Sequence, residues 1–124
     1  MNRATLLFAH GARDPRWAAP FAAVAERMRQ AAPGHRVELA FLELMQPDLR
    51  QAAAGLAADG IVRIDVVPLF LGTGGHVRND LPALLVELRG RHPGVEFRLH
   101  AAIGESEAVI DAMARVALAA SDGE

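Results

Sequence analysis

A chain of 124 residues is long enough for one domain that buries most of its apolar surface without disulfides or a structural metal. With 52% hydrophobic residues, 23% charged residues and a formal charge of -2, the composition is that of an ordinary globular domain. It leaves no general basic field for nucleic acid. Cysteine is absent, which excludes disulfides, thiolate nucleophiles, iron–sulfur clusters and zinc fingers, so any metal must be held by nitrogen and oxygen ligands. All thirteen basic residues are arginine, a choice that suits bidentate carboxylate or phosphate recognition and equally reflects codon bias.

The first apolar run, 4–9 (ATLLFA), lies between Arg3 and His10-Gly11 and reads as a strand buried on both faces. It is too short for a secretory signal, and no stretch approaches the roughly 20 apolar residues of a membrane span. A cytoplasmic protein is expected. After Asp14-Pro15, apolar residues at Phe21, Val24, Ala25 and Met28 predict a helix over 16–32, stopped by Pro33-Gly34. Residues 36–44 (RVELAFLEL) predict a second strand, and Pro47 opens a helix to about Asp59, ended by Gly60. The most β-branched segment, 61–71, predicts the third strand. Asp80 is a candidate N-cap for a helix through Arg91, His92-Pro93-Gly94 is a turn, 95–103 a fourth strand, and 106–119 the last helix. The order βαβαβαβα with short connections predicts an α/β fold: a four-stranded parallel sheet with helices on both faces.

Ligands of such sheets bind outside the carboxyl ends of the strands. Three candidate ligands or proton carriers fall there: His10 ending the first strand, Glu43 ending the second, and His76 in the glycine-rich loop after the third. His35 and His92 sit in the turns at the opposite edge and read as surface residues, and His100 reads as a core or supporting residue. Gly72, Gly74 and Gly75 would let the loop fold closely against a bulky ligand. Taken singly, each has a plainer reading: His10 as a hydrogen-bonded strand-end residue, Glu43 as a solvated carboxylate, and Arg13, Arg16 and Arg78 as solvated helix-start residues. Both nucleotide fingerprints fail, because Val77 stands where G-x-G-x-x-G needs glycine and the P-loop needs a lysine. No G-x-S-x-G elbow occurs. A histidine-nucleophile phosphatase built on His10 stays open, although Arg13 alone is a thin phosphate cradle.

Three motifs, FAHGARDP, FLELMQPDL and PLFLGTGGHVRNDLP, together resemble the short-form sirohydrochlorin chelatases, over nearly the whole chain. Ala12 stands where many relatives have serine after the HG pair. The resemblance implies that residues 1–124 form one lobe of a bilobal class II chelatase architecture. It implies that His10 and His76 hold a divalent metal substrate, Co²⁺ foremost with Fe²⁺ or Ni²⁺ as variants, with no organic cofactor. It further implies that Glu43 handles metal or protons. Arg13, Gly74, Gly75 and Arg78 are the expected contacts of a sirohydrochlorin-type tetrapyrrole. A single lobe is then expected to form a homodimer, with neither nucleic acid nor membrane as partner; Leu44, Met45, Leu81 and Leu84 near the carboxyl edge are candidate interface residues, at least half of them expected in the core instead.

Overall fold

β1 (Arg3–Ala9) carries four consecutive buried residues, Leu6 to Ala9, because later strands pair with it on both sides and helices approach it on both faces. β2 (Arg36–Phe41) pairs with one edge from Ala4↔Arg36 to Ala9↔Phe41, and β3 (Arg63–Pro68) pairs with the other from Arg3↔Arg63 to Phe8↔Pro68. β4 (Glu96–Leu99) adds to β3, giving a wholly parallel sheet in the order β2-β1-β3-β4. The computed structural model describes residues 2–72 and 74–122, and the side chains of residues 75–78 lie outside that description.

The crossovers are α1 (Ala19–Ala31), α2 (Leu49–Ala58) and α3 (Gly75–Arg91), and α4 (Glu107–Asp122) follows β4. Leu6, Phe8, Ile64 and Val66 point to one face and pack with Leu49, Ala53 and Leu56 of α2 and Leu81, Leu85 and Leu88 of α3. Leu7 and Val37 point to the other face and meet Ala25 and Met28 of α1. This alternation is the period-2 geometry of strands, and it confirms helices on both faces. None of α4 is buried.

Several boundaries differ from expectation, each for a local reason. The first helix is split: Pro15–Ala18 forms a 3₁₀ turn capped by the Asp14 carboxylate, and α1 starts afresh with Pro20 in its first turn. β2 ends at Phe41 rather than 44, because Leu44 takes a positive φ of 66°. α2 is started by Asp48, not Pro47: its carboxylate accepts the Gln51 N–H and the Gln51 side chain accepts the Asp48 N–H, both at 2.8 Å. β3 stops at Pro68 instead of 71. α3 begins five residues before Asp80, with Gly74 as N-cap, and carries Pro82 inside it. His76 is therefore in a helical first turn and not in a loop.

Among the described residues no helix is long and apolar enough to cross a membrane. Phe8 is 1% exposed and its ring lies 5.8 Å from that of Phe70. Replacing Phe8 with alanine is expected to cost about 3–5 kcal/mol, read as a fall in the urea midpoint with an unchanged slope.

Candidate functional site

From β1 the chain crosses to β2 on one side, then returns past β1 to β3 on the other, so the strand order reverses between β1 and β3. Their carboxyl ends diverge there into the crevice in which such sheets bind ligands. His10 leaves β1 at this point. Its exposed ring lies against buried Phe70, with centroids 4.2 Å apart and planes at 33°, so an apolar support from the β3 side sets its orientation.

The carboxylate-bearing loop is fastened to His10 through the backbone. Leu42 N–H donates to the Ala9 carbonyl at 2.8 Å and Glu43 N–H to the His10 carbonyl at 3.0 Å, which carries the β1–β2 ladder beyond the strands. Gly11 makes the approach possible. It has φ of +95°, and a Cβ there would overlap the carbonyl oxygen of Glu43. Glu43 itself is exposed and sits two residues beyond the end of β2, in a loop closed by the Phe41 N–H to Pro47 carbonyl bond at 2.9 Å. Next to it Leu44 is 58% exposed despite its left-handed backbone, an arrangement that costs an ordinary side chain about 1–2 kcal/mol. On the third side, Gly104 N–H donates to the Phe70 carbonyl at 2.9 Å, and a Cβ on Gly104 would overlap Leu71.

Other expected residues divide. Arg13 is exposed at the rim, while Arg16 forms a chelating pair with Asp14 at 2.9 Å that holds the Asp14 carboxyl below its ordinary value. Gly74 caps α3 and Gly75 is its first residue, and a methyl at Gly72 or Gly74 would meet nothing within 4 Å among the described residues beyond its chain neighbours. The side chains of His76 and Arg78 lie outside the described residues. Among the described residues, no three histidine, aspartate or glutamate side chains gather as a metal site.

The remaining histidines lie in the predicted turns and strand end but differ from expectation in burial and contacts. His35 is half-buried, bonded through Nε2 to the Thr5 hydroxyl at 2.7 Å, and His92 is half-buried beside Phe97. His100 is exposed and bonded to Asp65 at 2.8 Å, not a core residue. Burial pushes the Asp65 carboxyl up, but the His100 bond and the Arg63 charge outweigh it and hold it below its usual range. Of the expected interface residues, Leu81 is buried and Leu84 packs against the same core, while Met45 is half-buried.

Phe70, Gly104 and Trp17 were not singled out by sequence. Trp17, the chain's one tryptophan, packs 4.6 Å from Phe21 and 6.5 Å from Phe41. Only the left-handed Gly11 had a local signal, the HG pair. Gly11→Ala is expected to lower stability by about 1–3 kcal/mol, the cost of forcing extra atoms into a closed contact, measured by chemical unfolding. Gly72→Ala, at a position open among the described residues and outside any helix, should stay within about 0.5 kcal/mol of the parent.

Comparison with known proteins bears on the same elements. A sirohydrochlorin ferrochelatase of Bacillus subtilis (strain 168) is 31% identical over 113 residues, covering 91% of this chain and 43% of the relative. A sirohydrochlorin cobaltochelatase of Sulfurisphaera tokodaii is 32% identical over 106 residues, covering 86% and 83%. The solved CbiX protein of Marinobacter aquaeolei VT8 superposes with a TM-score of 0.88 at 31% identity, covering 98% of this chain and 99% of that one. The chain thus spans less than half the length of the Bacillus relative and nearly all of the Marinobacter protein. The CbiX family model matches residues 4–120, from β1 into α4, and the chain belongs to the CbiX family.

Proposed function

We propose that this protein is a cytoplasmic sirohydrochlorin chelatase that inserts Co²⁺ into the tetrapyrrole for cobalamin synthesis and works as a homodimer. The observation that carries the reading is the backbone tie between His10 and Glu43 at the carboxyl edge, where β1 and β3 part. It holds an imidazole and a carboxylate at one rim, beside the helix whose first turn includes His76. Relatives named for cobalt and for iron insertion both support the chemistry. Fe²⁺ insertion for sirohaem, favoured by the name of the Bacillus relative, is the second reading, and the N/O donor set fits Ni²⁺ as well.

Insertion replaces two pyrrole N–H protons by one divalent metal. The metal is a substrate, delivered by neutral imidazoles at His10 and His76, with water ligands given up as the ring closes on it. Glu43 accepts the two ring protons in turn and passes each to solvent, which its exposed position on the rim allows. Arg13 and Arg78 bind the peripheral carboxylates, and Gly74 and Gly75, having no side chains, let the macrocycle approach the start of α3. A second copy supplies the second wall.

Assay with sirohydrochlorin and Co²⁺ should give metallated product in molar excess over enzyme, and a stop at one equivalent would mark a carrier instead. His10→Ala should nearly abolish turnover. Glu43→Gln should lower it about 100-fold while calorimetric metal affinity changes little, and equal losses would make Glu43 a ligand only. His35→Ala should leave the rate unchanged. Hydrolysis of a chromogenic phosphate ester without added metal would favour the phosphatase reading.

A further inference from the structure

An open parallel sheet has two edges, and each offers a row of backbone N–H and C=O groups to which a further strand can add. In this chain the edges are β2 and β4. Within a parallel strand the N–H and C=O of one residue point to the same side and those of the next residue to the other. Leu42 N–H donates to the Ala9 carbonyl, so even-numbered residues serve β1, and Val37, Leu39 and Phe41 of β2 face outward. Glu96 and His100 N–H donate to the Val62 and Val66 carbonyls, so even-numbered residues serve β3, and Phe97 and Leu99 of β4 face outward. At both edges the first outward carbonyl is covered. Arg29 donates to the Val37 carbonyl oxygen from Nε at 3.2 Å and from Nη2 at 2.6 Å, and Arg89 Nη2 donates to that of Phe97 at 2.9 Å.

We propose that Arg29 and Arg89 are edge guards, which hold the carbonyls where an added strand would begin and so keep copies of this chain from joining edge to edge. The placement supports this. Arg29 lies in the last turn of α1 and Arg89 in the last turn of α3, on helices that cover opposite faces of the sheet. Each reaches eight residues along the chain. The spacing is the same at 29–37 and at 89–97: arginine, three residues, Pro-Gly, two residues and then the covered apolar residue. Both arginines are exposed, so packing in the core does not account for where they point. Further along β2 the chain covers its own edge, with Phe41 N–H donated to the Pro47 carbonyl at 2.9 Å.

Chemistry explains the residue type. A guanidinium keeps its charge at every pH at which the chain folds, and its fork places two donors on one oxygen, as at Val37. A strand arriving at either edge would have to displace a charge-assisted bond and lie against the cation. The need is clear in β2, where Val37, Leu39, Ala40 and Phe41 make an apolar segment of the kind that stacks with its own copies when an edge is bare. A plain tie of helix to sheet would appear as lost stability alone, so association is what the test reads. Chelation plays no part in it.

Arg29→Met and Arg89→Met keep the apolar stem and remove the donors. The double variant is expected to fold, by circular dichroism, and to form assemblies larger than the parent that grow with protein concentration in light scattering. Amide exchange at Leu39 and Leu99, the outward residues beyond the covered carbonyls, should slow about tenfold in those assemblies, the effect of one added inter-strand bond. Should the double variant not fold, the single variants are read, with slowing at Leu39 alone for Arg29→Met and at Leu99 alone for Arg89→Met. Arg27→Met, the same replacement at an exposed position of α1, should match the parent in size and exchange. Variants that lose stability yet keep the parent's size at every concentration, assemblies in which Leu39 and Leu99 exchange as in the parent, or equal association of Arg27→Met would each overturn the proposal.

Discussion

Burial of β1 on all four sides is the constraint from which the rest follows. A strand paired at both edges and covered by helices on both faces leaves little room for polar side chains, which explains why Leu6, Leu7, Phe8 and Ala9 run without alternation. It also fixes where function can be placed. The chain must leave the sheet at its centre, and the residue at the exit, His10, stands where the loops after β2 and β3 can both reach it. Hydrogen bonds from Leu42, Glu43 and Leu69 to the ends of β1 hold those loops to one frame.

Around that strand the core is unequal. The α2–α3 side contains most of the fully buried residues, while the α1 side has a small cluster and an apolar groove. A lobe with a full face and a partial face has a stable scaffold and a surface that still gains from being covered. α4, none of which is buried, has the same property.

The sheet, its parallel sense and the crossover helices were legible because hydrophobic period and Pro-Gly punctuation are local signals. Boundaries set by backbone conformation were not. Leu42 and Leu44 continue an alternating pattern, and nothing in a leucine announces a positive φ. Asp80 looks like a helix cap, yet α3 begins at Gly74 with no side-chain cap to mark it. The candidate site was legible as residue types at strand ends. The fastening of Glu43 to His10 was not, since it depends on a carbonyl contact with Gly11 across the β1–β2 boundary. Likewise, an apolar residue type does not say whether it meets the core or a partner: of the four leucine and methionine candidates, Leu81 and Leu84 went to the core while Leu44 stayed exposed.

The strand order has a consequence for synthesis. β1 emerges from the ribosome first, but its ladders are with β2 and β3, whose last paired residues are Phe41 and Pro68. Until then an apolar strand has neither edge partner nor cover, and both closures must meet the entropy of long loops before any contact is gained. The nascent chain therefore passes through a prolonged interval with its most aggregation-prone segment exposed. Joining residue 124 to residue 1 and opening the chain before β2 would deliver β1 after two of its neighbours had been made, shortening that interval without altering the finished sheet.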